Sequence, residues 1–158
     1  MEGLYEGNGK MEYENGNYYI GRWKNGKRNG NGKLYDKNGN LIYDGDWNND
    51  KFEGKGKLNI EKCEQYYIGE FKNGLMDGKG CLFWKNGDLV YDGDWVNAKM
   101  EGYGKGYGDN GDYFIGKWKD GLQDEGTLYD KNGRIIFKGK INAGEMIEMI
   151  KLLFANDS

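Results

Sequence analysis

Histidine is absent from the chain and so is proline; the only serine is the terminal Ser158, the only threonine is Thr127, and cysteine occurs twice. Without histidine, the side chain best suited to moving protons near neutral pH is missing, and without an internal serine there is no serine nucleophile. Cys63 and Cys81 stand eighteen residues apart, a spacing that fits neither a C-x-x-C pair nor a metal-ligand pattern. Both are read as free thiols, in keeping with a reducing compartment. No run approaches the roughly 18 apolar residues of a membrane span, and the start "MEGLYEGNGK" lacks the apolar core of a signal peptide. A net charge of −3 is too mild to imply a partner and argues against nucleic acid. The expectation is a soluble, cytoplasmic protein that is not an enzyme and takes no cofactor or metal.

Glycine, in contrast, supplies 29 of the 158 residues, more than double the usual share of roughly 7%, and aromatics make up 15%. They come in a fixed order. "YIGRW" at Tyr19 to Trp23 returns as "YDGDW" at Tyr43, "YIGEF" at Tyr67, "YDGDW" at Tyr91 and "FIGKW" at Phe114. Gly21, Gly45, Gly69 and Gly93 are 24 residues apart, and Gly116 and Gly139 follow at intervals of 23. A G-x-G element travels with them as Gly30/Gly32, Gly54/Gly56, Gly78/Gly80 and Gly102/Gly104, with an earlier half-unit at Gly7/Gly9. Self-similarity at such a period marks a repeat array.

Within each unit the period is two. Tyr19, Gly21 and Trp23 share one strand face and Ile20, Arg22 and Lys24 the other. Asn25-Gly26 then supplies backbone with positive φ, and the chain returns through Gly30, Gly32 and Leu34, which makes a β-hairpin. Glycine beside large rings lets a neighbouring Trp or Tyr lie on the backbone. One hairpin cannot bury enough surface to stand alone, so the hairpins must stack.

On these motifs the chain resembles the MORN-repeat family, glycine-rich units of about 23 residues. The resemblance implies an elongated, single-layer, all-β solenoid of stacked antiparallel hairpins. The Y-x-G-x-W, N-G and G-x-G parts recur in order over residues 4 to 142. Departures are Phe71 in place of Trp, Ala98-Lys99 in place of N-G, a missing residue near Asp124-Glu125, and Ile141 ending the series. MORN-like proteins act as interaction scaffolds or dimerisation modules, and some were proposed to bind phospholipids.

A second period lies over the first. Units with Ile20, Ile68 and Ile115, each preceded by a tyrosine (Tyr18, Tyr66, Tyr113), alternate with units carrying Asp44, Asp92 and Lys138. The duplication unit is therefore 47 to 48 residues, two hairpins long. Residues 1–144 are assigned to the array and 145–158 to a short C-terminal amphipathic helix. There Met146, Met149, Ile150 and Leu153 fall at i, i+3, i+4 and i+7, and the helix is read as a cap over the last hairpin.

Three readings of function follow. The first is a scaffold binding a protein partner, or a second copy as a homodimer, through an aromatic groove formed by Tyr19, Trp23, Tyr43, Trp47, Tyr67, Phe71, Tyr91, Trp95, Phe114 and Trp118. The second is a cytoplasmic protein peripheral to an anionic membrane, bound through Arg22, Lys24, Lys27, Arg28 and Lys33, which have no acidic neighbour within residues 18–33. The third is a small-molecule binder. "GYGKGYG" at Gly102 to Gly108 lacks the lysine-serine/threonine ending of a phosphate loop, and "DKNGN" at Asp36 to Asn40 has its glycine misplaced for calcium.

Overall fold

A computed structural model describes residues 3–141, and the C-terminal helix expected at 145–158 lies outside them. Twelve strands form one open antiparallel sheet in which every strand pairs only with its neighbours in sequence. They are β1 (Gly7–Glu12), β2 (Tyr18–Lys24), β3 (Lys27–Tyr35), β4 (Leu41–Asn48), β5 (Lys51–Ile60), β6 (Gln65–Lys72), β7 (Leu75–Trp84), β8 (Leu89–Val96), β9 (Lys99–Tyr107), β10 (Tyr113–Lys119), β11 (Leu122–Tyr129) and β12 (Ile135–Lys140). Among the described residues the only helical turn is a 3-10 turn at Glu61–Cys63. At ~4.8 Å per strand, the array is about 53 Å long across its strands.

The turns inside the hairpins place two consecutive residues at positive φ, the geometry that matches strand twist. Asn25-Gly26, Asn73-Gly74 and Asp120-Gly121 do this with glycine second. The sequence alignment of Ala98-Lys99 with N-G is corrected by one residue: the turn is Asn97-Ala98, at φ 48° and 65°. Each turn is tied to the preceding hairpin. The second turn residue donates its N–H to a carbonyl one hairpin back, as Gly74 does to Phe52 at 2.9 Å and Ala98 to Met76 at 2.8 Å. The first turn residue donates to an acid that stands before a G-x-G glycine: Asn25 to Glu6, Asn73 to Glu53, Asn97 to Asp77 and Asp120 to Glu101.

Register puts one glycine of every strand in a single row: Gly9, Gly21, Gly32, Gly45, Gly56, Gly69, Gly80, Gly93, Gly104, Gly116, Gly126 and Gly139. In each hairpin the ring of the first strand's tyrosine lies over the second strand's glycine, so that a Cβ on Gly32, Gly56, Gly80 or Gly104 would run into Tyr19, Tyr43, Tyr67 or Tyr91. The phenol then donates to a carbonyl three residues on, as Tyr43 does to Asp46 at 2.9 Å. Trp23, Trp47, Trp95 and Trp118 donate their indole N–H to the carbonyls of Gly9, Gly32, Gly80 and Gly104. Phe71 has no such donor and meets the rings of Tyr43 at 5.2 Å, Tyr67 at 5.1 Å and Phe52 at 5.7 Å.

Burial has raised the phenol of Tyr19 to about 12, and the phenols of Tyr43, Tyr67 and Tyr91 are raised for the same main reason, desolvation. A phenol raised on folding contributes its full stabilisation below its unfolded value of about 10, and that contribution is lost as pH climbs through the folded value. In an alkaline titration followed at 295 nm, part of the 13 tyrosines should ionise only together with loss of the near-ultraviolet dichroism, well above pH 10. Ionisation of every tyrosine near pH 10 with the sheet intact would contradict this packing.

Candidate interaction surface

The ten rings expected to line a partner groove are the core. Each is less than a tenth exposed, and Tyr19, Tyr43, Tyr67 and Tyr91 are fully buried. They form an unbroken edge-to-face chain in the order Trp23, Tyr19, Trp47, Tyr43, Phe71, Tyr67, Trp95, Tyr91, Trp118, Phe114, with centroids 5.0–5.5 Å apart. Each tyrosine meets the Trp or Phe of its own hairpin and that of the next. The predicted groove is therefore filled, because the rings of successive hairpins cover one another.

The basic segment is divided. Strand alternation turns Arg28 onto the aromatic face opposite Trp23, while Arg22, Lys24, Lys27 and Lys33 face the other way. Arg28 lies over the Trp47 ring, 4.4 Å from its centre, and pairs with Asp50 at 3.1 Å. Lys33 meets Asp44 at 3.6 Å. The acidic partners of Arg28 and Lys33 come from the following hairpin, so the five cations do not form one patch, although Arg22, Lys24 and Lys27 stay on one face with Lys24 opposite Lys27.

The face opposite the core carries the unassigned features. One row across the strands reads Lys10, Ile20, Lys33, Asp44, Lys57, Ile68, Cys81, Asp92, Lys105, Ile115, Thr127, Lys138. Ile20, Ile68 and Ile115 are 42–47% exposed there, and among the described residues no second layer lies over them. Beside this row, half-buried rings stack in pairs: Tyr18 on Tyr35 at 4.9 Å, Tyr66 on Phe83 at 5.0 Å and Tyr113 on Tyr129 at 5.0 Å. A lysine sits over each cluster, Lys10 on Tyr18, Lys57 on Tyr66 and Lys105 on Tyr113, at 4.3–4.6 Å from the ring centres. The clusters recur with the two-hairpin period, which the sequence marks by the tyrosine before Y/F-I-G and by the isoleucine that alternates with Asp44, Asp92 and Lys138.

On the other side of the same row runs a trough with the glycine row as its floor. Its central part has a volume of about 750 Å³, with Asp44, Ile68, Cys81 and Asp92 along one wall and Asn31, Lys55, Glu70 and Lys79 along the other. It resumes beyond β9 between Ile115 and Lys117, with Thr127, Lys138 and Glu125. Much of the second wall is structural. Asp46, Glu70 and Asp94 accept the amide N–H groups of Lys55, Lys79 and Tyr103, the residues that follow the positive-φ glycines Gly54, Gly78 and Gly102. The Lys79–Asp94 ion pair holds the Asp94 carboxyl below its ordinary range and lifts Lys79 above its own.

Other sequence candidates resolve into scaffold. Gly102–Gly106 lie in β9, paired on both sides, with Gly108 just beyond. The Asp36 carboxylate accepts from the Asn38 and Asn40 amides and the Asn40 side chain. That contact with the Asn40 side chain is the main reason its carboxyl lies below the usual range. Among the described residues no group of three or more acidic, cysteine or histidine side chains could hold a metal, and no helix is long and apolar enough to cross a membrane.

A family model for the MORN repeat matches residues 1–18, 19–41, 43–59, 67–89 and 91–113. Comparison with curated proteins gives no match.

The two thiols differ. Cys63 is exposed on the 3-10 turn, whereas burial, with added effect from Asp92, pushes the Cys81 thiol up to about 11. At pH 8 only ~0.1% of Cys81 would be the nucleophilic thiolate. Iodoacetamide followed by mass spectrometry should alkylate Cys63 first, with Cys81 slower by at least about tenfold. Equal rates in the folded protein would contradict the trough geometry around Cys81.

Proposed function

The chain belongs to the MORN-repeat family, and on that premise we propose that it is a scaffold that binds a protein partner along the face opposite its ring core. The family is a non-catalytic one, generally associated with protein or membrane-lipid interaction. The observation that carries the reading is the division of labour between the two faces. The ten ring-core residues are sealed, whereas the opposite face repeats an exposed isoleucine, a half-buried ring pair and a lysine every two hairpins. Four strands separate successive copies, about 19 Å. Half-buried aromatic rings beside exposed apolar side chains are what interface hot spots use, and the lysines favour acidic residues flanking apolar ones on the partner.

Ile68 tests this at the centre of the face, because it is 47% exposed and stands in the row beside Lys57 and Cys81. Ile68→Asp should leave the melting temperature within a few degrees and weaken the partner complex by about tenfold or more. Phe71→Ala, on the core face, should cost ~3–5 kcal/mol of stability and weaken binding only as far as the array unfolds. Melting curves beside binding to the partner isolated from the native host decide it. Unchanged binding by Ile68→Asp, with loss on substituting exposed residues of the core face such as Trp84, would overturn the assignment.

A further inference from the structure

The two ends of the array are halves of one hairpin. β12, with Phe137 and Gly139, repeats the first strand of a unit, the one that carries Tyr19 and Gly21 in β2. β1, with Gly7, Gly9 and Met11, repeats the second strand, the one that carries Gly30, Gly32 and Leu34 in β3. Among the described residues neither outer edge has a strand partner. An open edge with a free ladder of amides and carbonyls is a template for another strand.

Gly9 supplies a second, independent observation. In four complete hairpins the second-strand glycine is required, because a Cβ there would collide with the tyrosine ring of the strand before it. Gly9 is the same glycine without that ring. Its nearest neighbour is Trp23 at 3.7 Å, an ordinary contact, and its φ is not positive. Within its own chain Gly9 has room for a side chain. The matching ring, Phe137 on β12, is only partly buried, whereas its five equivalents, Tyr19, Tyr43, Tyr67, Tyr91 and Phe114, are at most 1% exposed. The room over Gly9 and the exposed part of the Phe137 ring are the two sides of the contact that each complete hairpin makes.

We propose that two copies of this chain join end to end, β12 of one copy pairing antiparallel with β1 of the next to build the missing hairpin. The register follows from the other hairpins: Gly139 faces the next copy's Gly9, Phe137 faces Met11 and lies over Gly9, and the next copy's Trp23 closes on Phe137 as Trp47 closes on Tyr19. The contact is head to tail, so each junction leaves the same two edges free and the assembly is open-ended. The face opposite the core continues through the junction, and the scaffold lengthens by whole arrays.

Sedimentation velocity on the full chain, from about 1 to 200 µM, should show a series of species growing with concentration. Gly9→Val places a branched side chain where Phe137 of the neighbour must lie, and should raise the dissociation constant at least tenfold while leaving the melting temperature of the monomer unchanged; Gly9→Ala is the milder check should the valine variant misfold. Because the variant keeps its β12 edge, adding it in small amounts to wild type should shorten the species. A chain monomeric throughout that range would overturn the proposal. Association indifferent to Gly9→Val, or abolished by it without shortening of wild-type species, would also overturn it, the second outcome indicating β1 paired with β1.

Discussion

A tyrosine ring laid on a glycine of the neighbouring strand is the contact on which this structure depends. A sheet normally needs a second layer to bury its apolar face, and here the layer is made by the sheet's own rings. That works only where the opposing strand has no side chain. At Gly45 a Cβ would sit 2.5 Å from the Cα of Gly56, and at Gly56 it would meet Tyr43. The glycine row, weak as strand-forming sequence in isolation, is what lets the rings sink far enough to be covered by the Trp or Phe of the next hairpin.

Two consequences follow from a core built this way. Stability is local and directional, since each tyrosine is completed by its own hairpin and the following one, and the turn amides reach back to acids such as Glu53 and Asp77. Contacts of this nearest-neighbour kind make the array cooperative along its length and weakest at its ends. The opposite face is also released from packing. Ile68, the Tyr66–Phe83 pair and Lys57 can then be chosen for what they meet outside the chain.

The sheet, its hairpins and the glycine row are legible in the sequence because strand alternation and the N-G turns are local signals. The fate of the aromatic stripe is not, because Tyr43 is sealed by Phe71, a residue of the next unit that reaches it only through the sheet's geometry. The basic segment misleads for a related reason: alternation alone separates Arg28 from Lys27 and Lys33, but the acids that neutralise Arg28 and Lys33, Asp50 and Asp44, arrive from the following hairpin. The ring pairs of the opposite face left a trace in the tyrosines at positions 18, 66 and 113. Their stacking partners Tyr35, Phe83 and Tyr129 stand at the far ends of the returning strands, each inside an L-Y/F-x-K-N-G stretch, but which ring meets which follows only from the register of the sheet.

The interlock itself is measured most directly by a double-mutant cycle between Gly80 and Tyr67, whose ring carbons and hydroxyl occupy the place of a Gly80 Cβ. Chemical denaturation of the wild type, Gly80→Ala, Tyr67→Leu and the double variant gives the coupling. If the ring on the glycine organises the sheet, Gly80→Ala costs ~3 kcal/mol or more in the presence of Tyr67 and far less beside Leu, which lacks the ring, a coupling above ~1 kcal/mol. Additive losses from the two substitutions would contradict the account.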